Sequence, residues 1–372
     1  MKKSLQEHTV KEHTVKDITR SYNALPFKEN SSLLLKQGTK AGFQIGLSVS
    51  LLSCLSLLIG CQQDPITAAQ RPLVRPAYGT LEELFQTEIV SIGLETLGYT
   101  VLSGSEIEYD TLHEAIAKGY VDYTTVHWNP LHQKFLDDNG GNTNMVSAGT
   151  LVKDAIQGYS IDRATAQQYA ITNLEQLKDP QIAALFDTDG NNKANLVGCP
   201  PGWGCREVIE HHLDVYGLRD TVDHDNNNYF GLIDRVIADQ TAGNPVLYYT
   251  WTPMWVSNIL TPGDQVEWLE VPYTSLPSAY ADDTSTTVNG KNLGFAVNQI
   301  EILANKEFLI NNPIAKSFFE AVEIPIEAIN IQNQKMRAGQ NTPVAVRKHA
   351  EAWIEENQAL FDSWIAASQT DQ

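Results

Sequence analysis

The feature that most constrains the fold is an alternation of strand and helix patterns near the start of the globular part. Leu73 to Tyr78 predicts a strand, and the capping-box pattern from Thr80 to Glu83 predicts a helix directly after it. A second strand, a second helix and a third strand are predicted at Tyr99 to Leu102, Tyr109 to Lys118 and Val121 to Val126. Strands separated by helices of this length form βαβ units, so the sequence predicts an α/β fold with a parallel sheet.

Two tryptophans follow predicted strands. The third strand leads into the segment HWNPLH, in which Asn129 predicts an N-cap and Pro130 the first residue of a helix. Trp128 therefore lies at the carboxyl end of a strand, where open α/β sheets bind ligands, and His132 lies in the first turn after it. Further along, NPVLYYTWTPMWV places Trp251 at the end of another strand, also before a proline.

The segment GCPPGWGC, residues 198–205, combines two cysteines with a turn that presents a tryptophan. Cys199 and Cys205 can close a small ring, and the glycines on either side of Trp203 leave its indole unhindered. A helical pattern starts at once, so the amides of Gly204, Cys205 and Arg206 lie at a helix N-terminus and would attract an anion. The segment alone is equally consistent with a surface turn stapled by a disulfide, with Trp203 as a packing residue.

Residues 1–60 predict an N-terminal extension and a lipoprotein signal peptide. An apolar run ends at Leu58-Ile59-Gly60-Cys61, which matches the bacterial lipobox, and Cys61 would be the lipidated first residue of the mature chain. The run is also long enough for a permanent transmembrane helix. Its abrupt end at Gly-Cys and the polar stretch that follows favour cleavage.

Two cysteines remain free to pair after this processing. Cys54 leaves with the signal peptide and Cys61 carries lipid, so Cys199 and Cys205 are left as a pair in an exported, oxidising compartment. We therefore expect a disulfide between them rather than a metal site, which would need more ligands than two cysteines.

Composition and motifs exclude several classes of function. The chain has 372 residues, enough for two domains, and a formal net charge of −19, which argues against nucleic-acid binding. No GxSxG, HExxH or phosphate-loop motif is present, so we expect neither an enzyme nor a cofactor. Asp187 to Asn195 is similar to a calcium loop but lacks its glycine and its bidentate glutamate, which favours an Asx-rich turn and no metal.

Four segments carry a family resemblance: HWNPLH, FDTDGNNKANLVGCPPGWGC, NPVLYYTWTPMWVSN and WLEVPYTSLP. They closely resemble the glycine betaine-binding proteins of bacterial osmoprotective ABC importers, and the resemblance extends from about Leu73 to the C-terminus. It implies a two-lobed periplasmic binding protein fold of type II, with the ligand in the cleft between the lobes. It also implies a tryptophan box for the quaternary ammonium group and a carboxylate site of one histidine and two backbone amides. The implied residues are Trp128, Trp203 and Trp251 for the box, and His132, Gly204 and Cys205 for the carboxylate.

The resemblance also implies an organisation and a set of partners. Residues 72–158 and 304–372 would form domain I, and residues 159–303 domain II. The protein would be an extracytoplasmic monomer, anchored by lipid as the lipobox predicts, that delivers glycine betaine to an ABC permease. Choline, carnitine or proline betaine are alternative ligands. A ligand-sensing domain of a signalling system would use the same pocket, but we find no signalling domain or second apolar segment in the sequence.

Overall fold

The computed structural model describes residues 72–278, 280 and 285–369. The predicted signal peptide, Cys54 and Cys61 lie outside these residues. Within the described part of the chain, no helix combines the length and apolar character needed to span a membrane.

The strands of the described chain differ greatly in length, from two residues to eighteen. They are β1 Leu73–Val74, β2 Pro76–Tyr78, β3 Thr100–Val101, β4 Ser105–Glu106, β5 Tyr123–Asn129, β6 Met145–Asp162, β7 Ala194–Val197, β8 Val222–Asp225, β9 Leu247–Thr252, β10 Val266–Leu269, β11 Thr287–Val288, β12 Lys291–Asn292 and β13 Asn298–Asn305.

The α-helices of the described chain range from four to fourteen residues, and the last five follow one another without an intervening strand. They are α1 Leu84–Thr96, α2 Tyr109–Ala117, α3 Gln133–Asp138, α4 Arg163–Tyr169, α5 Pro180–Ala183, α6 Gly204–Val215, α7 Tyr229–Thr241, α8 Val256–Ile259, α9 Lys306–Asn311, α10 Pro313–Ala321, α11 Ile326–Arg337, α12 Pro343–Glu356 and α13 Gln358–Ala367. Short 3₁₀ helices lie at Leu81–Glu83, Gly141–Thr143, Leu174–Lys178 and Ala184–Phe186.

Most strands belong to one nine-stranded sheet with the order β4-β2-β5-β13-β6-β9-β7-β8, in which β10 also pairs with β6. The outer groups are parallel, as the βαβ pattern predicts: β2 pairs in parallel with β4 and β5, and β7 with β8 and β9. The centre is antiparallel, because β13 runs against both β5 and β6, and β6 runs against β9. The predicted parallel pairing is therefore found in the outer groups, whereas the central strands are antiparallel.

Strand β6 joins the two halves of the molecule. Its first part, Met145–Ala155, pairs with β13, and its second part, Ile156–Ile161, pairs with β9. Asp154, where one pairing gives way to the other, has a φ of 56°, a left-handed conformation that is uncommon for residues other than glycine. The chain thus crosses between the halves inside a continuous strand rather than in a loop.

The apolar core is divided in the same way. One large cluster of buried side chains draws its members from Tyr159 to Phe295, and the other from the flanking parts of the chain, Val74 to Ala155 and Ile300 to Trp364. We call the parts built around them lobe II and lobe I, respectively. Leu131 and Trp251 pack against both clusters, so these two side chains lie where the lobes meet.

Candidate ligand-binding site

A cavity lies where the lobes meet. All six residues that the sequence analysis assigned to the ligand line it, together with five that it did not assign. The six are Trp128, His132, Trp203, Gly204, Cys205 and Trp251, and the five are Glu83, Tyr109, Leu131, Gln157 and Tyr249.

Three tryptophans reach this cavity from three separate elements. Trp128 lies near the end of β5, Trp203 is the N-cap of α6, and Trp251 lies near the end of β9. The rings of Trp203 and Trp251 are 5.6 Å apart at an interplanar angle of 79°, so their faces are nearly perpendicular. Trp128 comes from lobe I and the other two from lobe II. The walls of the cavity therefore present aromatic surfaces from both lobes.

The turn before α6 brings backbone amides to the same cavity. A disulfide joins Cys199 and Cys205, and Gly202 adopts a φ of 88° that a glycine accommodates without strain. Gly204 and Cys205 are the first two residues of α6, where amides have no carbonyl within the helix to donate to. Because the helix dipole also favours negative charge at this end, the turn provides a site for an anion.

Position 204 requires a glycine because the two lobes approach each other closely there. A Cβ atom at this position would lie 2.8 Å from the carbonyl oxygen of Leu131 in lobe I, closer than real Cβ atoms are found. It would also lie 3.4 Å from the ring of His132. The N-terminus of α6 can therefore reach the His132 segment only without a side chain at position 204.

His132 is buried at the start of α3, and its ring is uncharged. The amide of Trp128 lies 3.3 Å from its Nδ1, and the ring also hydrogen-bonds to the backbone carbonyl of Val126. Burial lowers the pKa of His132 well below its usual range, and the neighbouring His113 and His127 lower it further. The ring is therefore neutral at pH 7 and carries a single N–H donor.

Glu83 contributes a buried carboxyl group that the sequence analysis treated only as part of a capping box. Its Oε2 accepts hydrogen bonds from the amides of Gly79 and Thr80, at 3.0 and 2.9 Å, and its Oε1 accepts one from the Tyr109 hydroxyl at 2.9 Å. Burial raises the pKa of Glu83 to about 7, although these hydrogen bonds oppose the shift. The capping-box pattern was a sequence signal for its location but not for its exposure to the cavity.

Gln157 and Tyr249 form a second polar pair at the cavity. The Tyr249 hydroxyl donates to Oε1 of Gln157 at 2.5 Å, between the neighbouring strands β6 and β9. The strand pattern of this region predicts burial but not which residue faces the cavity. Trp255, which follows β9, instead packs in the core of lobe II with 3% of its surface exposed.

Two groups of residues in the described chain have side chains of the kind that bind metal ions. The Asp187 carboxylate accepts the amides of Asp189, Gly190 and Asn192, which is an Asx-type turn that satisfies its oxygens internally. A group of three buried histidines, His113, His127 and His132, was not recognised from the sequence. Its members come from a helix, a strand and a turn, so no local spacing indicated that they meet.

Comparison with known proteins gives matches over most of the chain. Residues 78–356 match the family described as the substrate binding domain of ABC-type glycine betaine transport systems. The glycine betaine-binding periplasmic protein OusX of Dickeya dadantii is 45% identical over 296 residues, covering 79% of this chain and 89% of that protein. The glycine betaine/proline betaine-binding periplasmic protein of Escherichia coli is 45% identical over 293 residues, covering 78% and 88%.

Solved structures share the fold at low sequence identity. The glycine betaine, L-proline ABC transporter binding protein ProX of Borrelia burgdorferi gives a TM-score of 0.62 at 16% identity, covering 80% of this chain and all of that one. Lactococcal OpuAC, closed and complexed with glycine betaine, gives 0.59 at 16% identity, with 79% and 99% covered. A choline binding protein in complex with choline gives 0.62 at 16% identity, with 80% and 93% covered. The predicted α/β fold, a two-lobed periplasmic binding protein of type II, is confirmed, and the chain belongs to the family of substrate-binding domains of ABC-type glycine betaine transport systems.

Proposed function

We propose that this protein captures glycine betaine in the cleft between its lobes and delivers it to the membrane permease of an ABC importer. The observation that carries the proposal is the convergence of three tryptophans and the N-terminus of α6 on one cavity. A ligand suited to both features has a cationic group without hydrogen-bond donors at one end and an anionic group at the other. Glycine betaine has this chemistry, and the two periplasmic relatives described above carry it in their names.

The cationic end is held by Trp128, Trp203 and Trp251. A quaternary ammonium group cannot donate a hydrogen bond, so its recognition depends on aromatic faces, of which indole attracts a cation most strongly. A desolvated contact of this kind contributes about 2 kcal/mol, so three of them support micromolar binding after the cost of association. The perpendicular arrangement of Trp203 and Trp251 suits a roughly spherical trimethylammonium group.

The anionic end is held by the amides of Gly204 and Cys205 and by the Nε2–H of His132. The two amides belong to a helix of twelve residues, so the helix dipole adds to their hydrogen bonds. His132 is neutral and its ring carries one N–H, which we assign to Nε2 because the Trp128 amide donates to Nδ1. Hydrogen bonds to a carboxylate contribute more than neutral ones, on the order of 1.5–3 kcal/mol each.

We also propose a cellular location, a membrane anchor and an oligomeric state for this protein. Its curated relatives are periplasmic, and we place this protein outside the cytoplasmic membrane, tethered through lipid on Cys61 after loss of residues 1–60. It acts as a monomer, without a cofactor or nucleic acid. Residues 72–158 with 304–372 form one domain and 159–303 the other, a division supported by the two largest buried clusters, which draw on these different parts of the chain.

Calorimetric titration with betaine, choline, carnitine and proline tests the ligand. We expect betaine to bind at least about tenfold more tightly than choline, a difference of roughly 1.4 kcal/mol. Choline shares the trimethylammonium group, but its hydroxyl would leave donors of the carboxylate site unpaired in a closed cleft. Failure to bind betaine would refute the function, and tighter binding of choline would favour the choline receptor instead.

Replacing His132 tests the carboxylate site separately. His132→Ala should weaken betaine binding and leave choline binding nearly unchanged, so the ratio of the two dissociation constants should fall toward one. Both ligands are titrated against both proteins. Equal losses for the two ligands would mean that His132 shapes the cavity without contacting the carboxylate.

A further inference from the structure

Three buried histidines meet beside the ligand cavity, and the proposed function uses only one of them. His113 lies on α2, His127 on β5 and His132 at the start of α3, with 0%, 1% and 2% of their surfaces exposed. One ring nitrogen from each lies within 4.8 Å of those of the other two. His113 and His127 thus place imidazole nitrogens next to the cavity with no part in holding the ligand.

We propose that His113, His127 and His132 form a binding site for a divalent transition-metal ion, Zn²⁺ in particular. Imidazole nitrogen is a preferred ligand of zinc, and three histidines with an open fourth position are a common zinc ligand set. The absence of carboxylates from the trio disfavours Ca²⁺ and Mg²⁺, which require oxygen ligands. Zinc also imposes no electronic preference on geometry, which suits three nitrogens from three unrelated elements.

The hydrogen bonding of His113 prepares it as a ligand. Its Nδ1 lies 2.6 Å from the carbonyl oxygen of Tyr109, which can only accept, so Nδ1 carries the proton. The Nε2 lone pair therefore points away from that carbonyl, toward His127. A histidine that donates its second nitrogen to a backbone carbonyl is the usual support for a metal-binding imidazole.

The ring nitrogens of His113 and His127 already have nearly the separation that two ligands of one zinc ion require. Nε2 of His113 and Nδ1 of His127 are 3.0 Å apart, and the Nδ1–H of His127 donates to the unprotonated Nε2 of His113. Two histidine nitrogens on one tetrahedral zinc ion are about 3.3 Å apart, since each Zn–N bond is about 2.0–2.1 Å. His127 can offer Nδ1 by carrying its proton on Nε2 instead, so coordination by this pair releases no proton.

His132 is the third ligand and provides the route of entry. Its ring lines the cavity, so an ion can approach from the cleft. With the ligand nitrogens within 4.8 Å, a movement of about 1.5 Å at most brings the ring into the coordination distance. The Trp128 amide reaches its Nδ1 at 3.3 Å, a long hydrogen bond, and the ring also contacts the backbone carbonyl of Val126; a ring movement would exchange these contacts for the metal ion.

Zinc titration of the untagged, chelator-treated protein tests the site, with calorimetry to give the stoichiometry and cobalt absorption spectra to report tetrahedral coordination. We expect one ion per chain. His113→Gln and His127→Gln should each weaken zinc binding by at least about tenfold. His211→Gln is the matched control: this histidine lies on α6, partly buried, where it contacts the Ser275 hydroxyl, and its loss should change nothing.

The zinc titrations can contradict the proposal in two ways. Absence of zinc binding to the wild-type protein, or equal losses in the His211 variant and the other two, would overturn the proposal. Two independent variants guard against a failure of either to fold, which thermal melting reports. No betaine is present in these titrations, so their result is independent of whether the cavity binds betaine.

Discussion

At the scale of single residues, the proposed site consists of side chains that would be ordinary packing residues elsewhere. Trp128, Trp203 and Trp251 are distant in sequence, and each follows a pattern that only predicts a strand end or a turn. Their role becomes specific because the fold brings all three to one cavity. Trp255 has a similar sequence context to Trp251 but packs in the core of lobe II.

Alanine substitution should distinguish these two kinds of tryptophan. Trp128→Ala, Trp203→Ala and Trp251→Ala should each weaken betaine binding by one to two orders of magnitude, roughly 1–3 kcal/mol, through lost cation–π attraction and contact area. Trp255→Ala should mainly lower the melting temperature, because it leaves a cavity in the core. Calorimetry and thermal melting measure the two effects. If the three variants remained folded and bound betaine like the wild type, the aromatic box would be wrong.

Gly204 allows a test of lobe closure by a single methyl group. Gly204→Ala should leave α6 intact, since alanine favours helices, but its Cβ would meet the Leu131 carbonyl at 2.8 Å across the cleft. We therefore expect at least about tenfold weaker betaine binding with little change in melting temperature.

Gly231→Ala is the control for that substitution. Gly231 lies in the first turn of α7 in the same lobe, where the atoms nearest to an added Cβ belong to the Asn228 side chain of its own N-cap. It should bind betaine normally. Normal binding by Gly204→Ala as well would show that the lobes do not need this close approach.

At the scale of elements, the capping box before α1 couples stability to pH. Burial raises the pKa of Glu83 from 4.5 to about 7, so the folded state favours the protonated carboxyl. The protonated carboxyl therefore contributes fully to the free energy of unfolding below about pH 4.5, and this contribution is lost as the pH rises through about 7. Glu83→Gln keeps a side chain suited to the capping box but removes this titration.

Urea unfolding of wild type and Glu83→Gln from pH 5 to 8 measures the effect. The stability of the variant relative to wild type should increase between pH 5 and about 7, by on the order of 2 kcal/mol, and level off above that. Glu355→Gln, on an exposed part of α12, should follow the wild type throughout. A constant difference between Glu83→Gln and wild type would mean that Glu83 does not titrate in this range.

Many helices and strands could be predicted from the sequence, whereas the pairing of the strands in the sheet could not. Periodicity and the capping signals predict α1, α2 and α6 and the strands β2, β3, β5 and β9, because these patterns depend on neighbouring residues. The eighteen-residue strand β6 was missed, since its two parts are buried against different partners and show no single alternation. Whether neighbouring strands run parallel depends on contacts between distant residues, which local patterns do not contain.

The same limit applies to the site. The six residues assigned to the ligand came from the family resemblance and lie together in the cavity. Glu83, Tyr109 and the pair His113 and His127 were missed, because their proximity arises only when α1, α2 and β5 pack together. Short sequence motifs identify a turn or a cap, whereas a group assembled from three elements leaves no motif.

At the scale of the whole molecule, α11 of lobe I reaches across to lobe II. The Arg337 guanidinium lies 4.7 Å from the ring centroid of Trp255 and forms an ion pair with Asp234. Nearby, the amide of Met254 donates to Oδ1 of Asn330 at 3.0 Å. These contacts join the lobes in the conformation that encloses the cavity, so they should favour that conformation over a more open one.

Removing Arg337 tests whether contacts remote from the ligand contribute to its affinity. Arg337→Ala should weaken betaine binding about three- to tenfold, because the closed conformation loses a cation–π contact and an exposed ion pair worth about 1 kcal/mol together. Arg347→Ala is the control: Arg347 pairs with Glu88, Glu95 and Glu351, all within lobe I, so its loss should reduce stability but keep affinity within about twofold. Calorimetry gives the affinities, and small-angle scattering with and without betaine gives the degree of closure. Unchanged affinity in Arg337→Ala would mean that its contacts persist when the cleft opens, so that they stabilise both conformations equally.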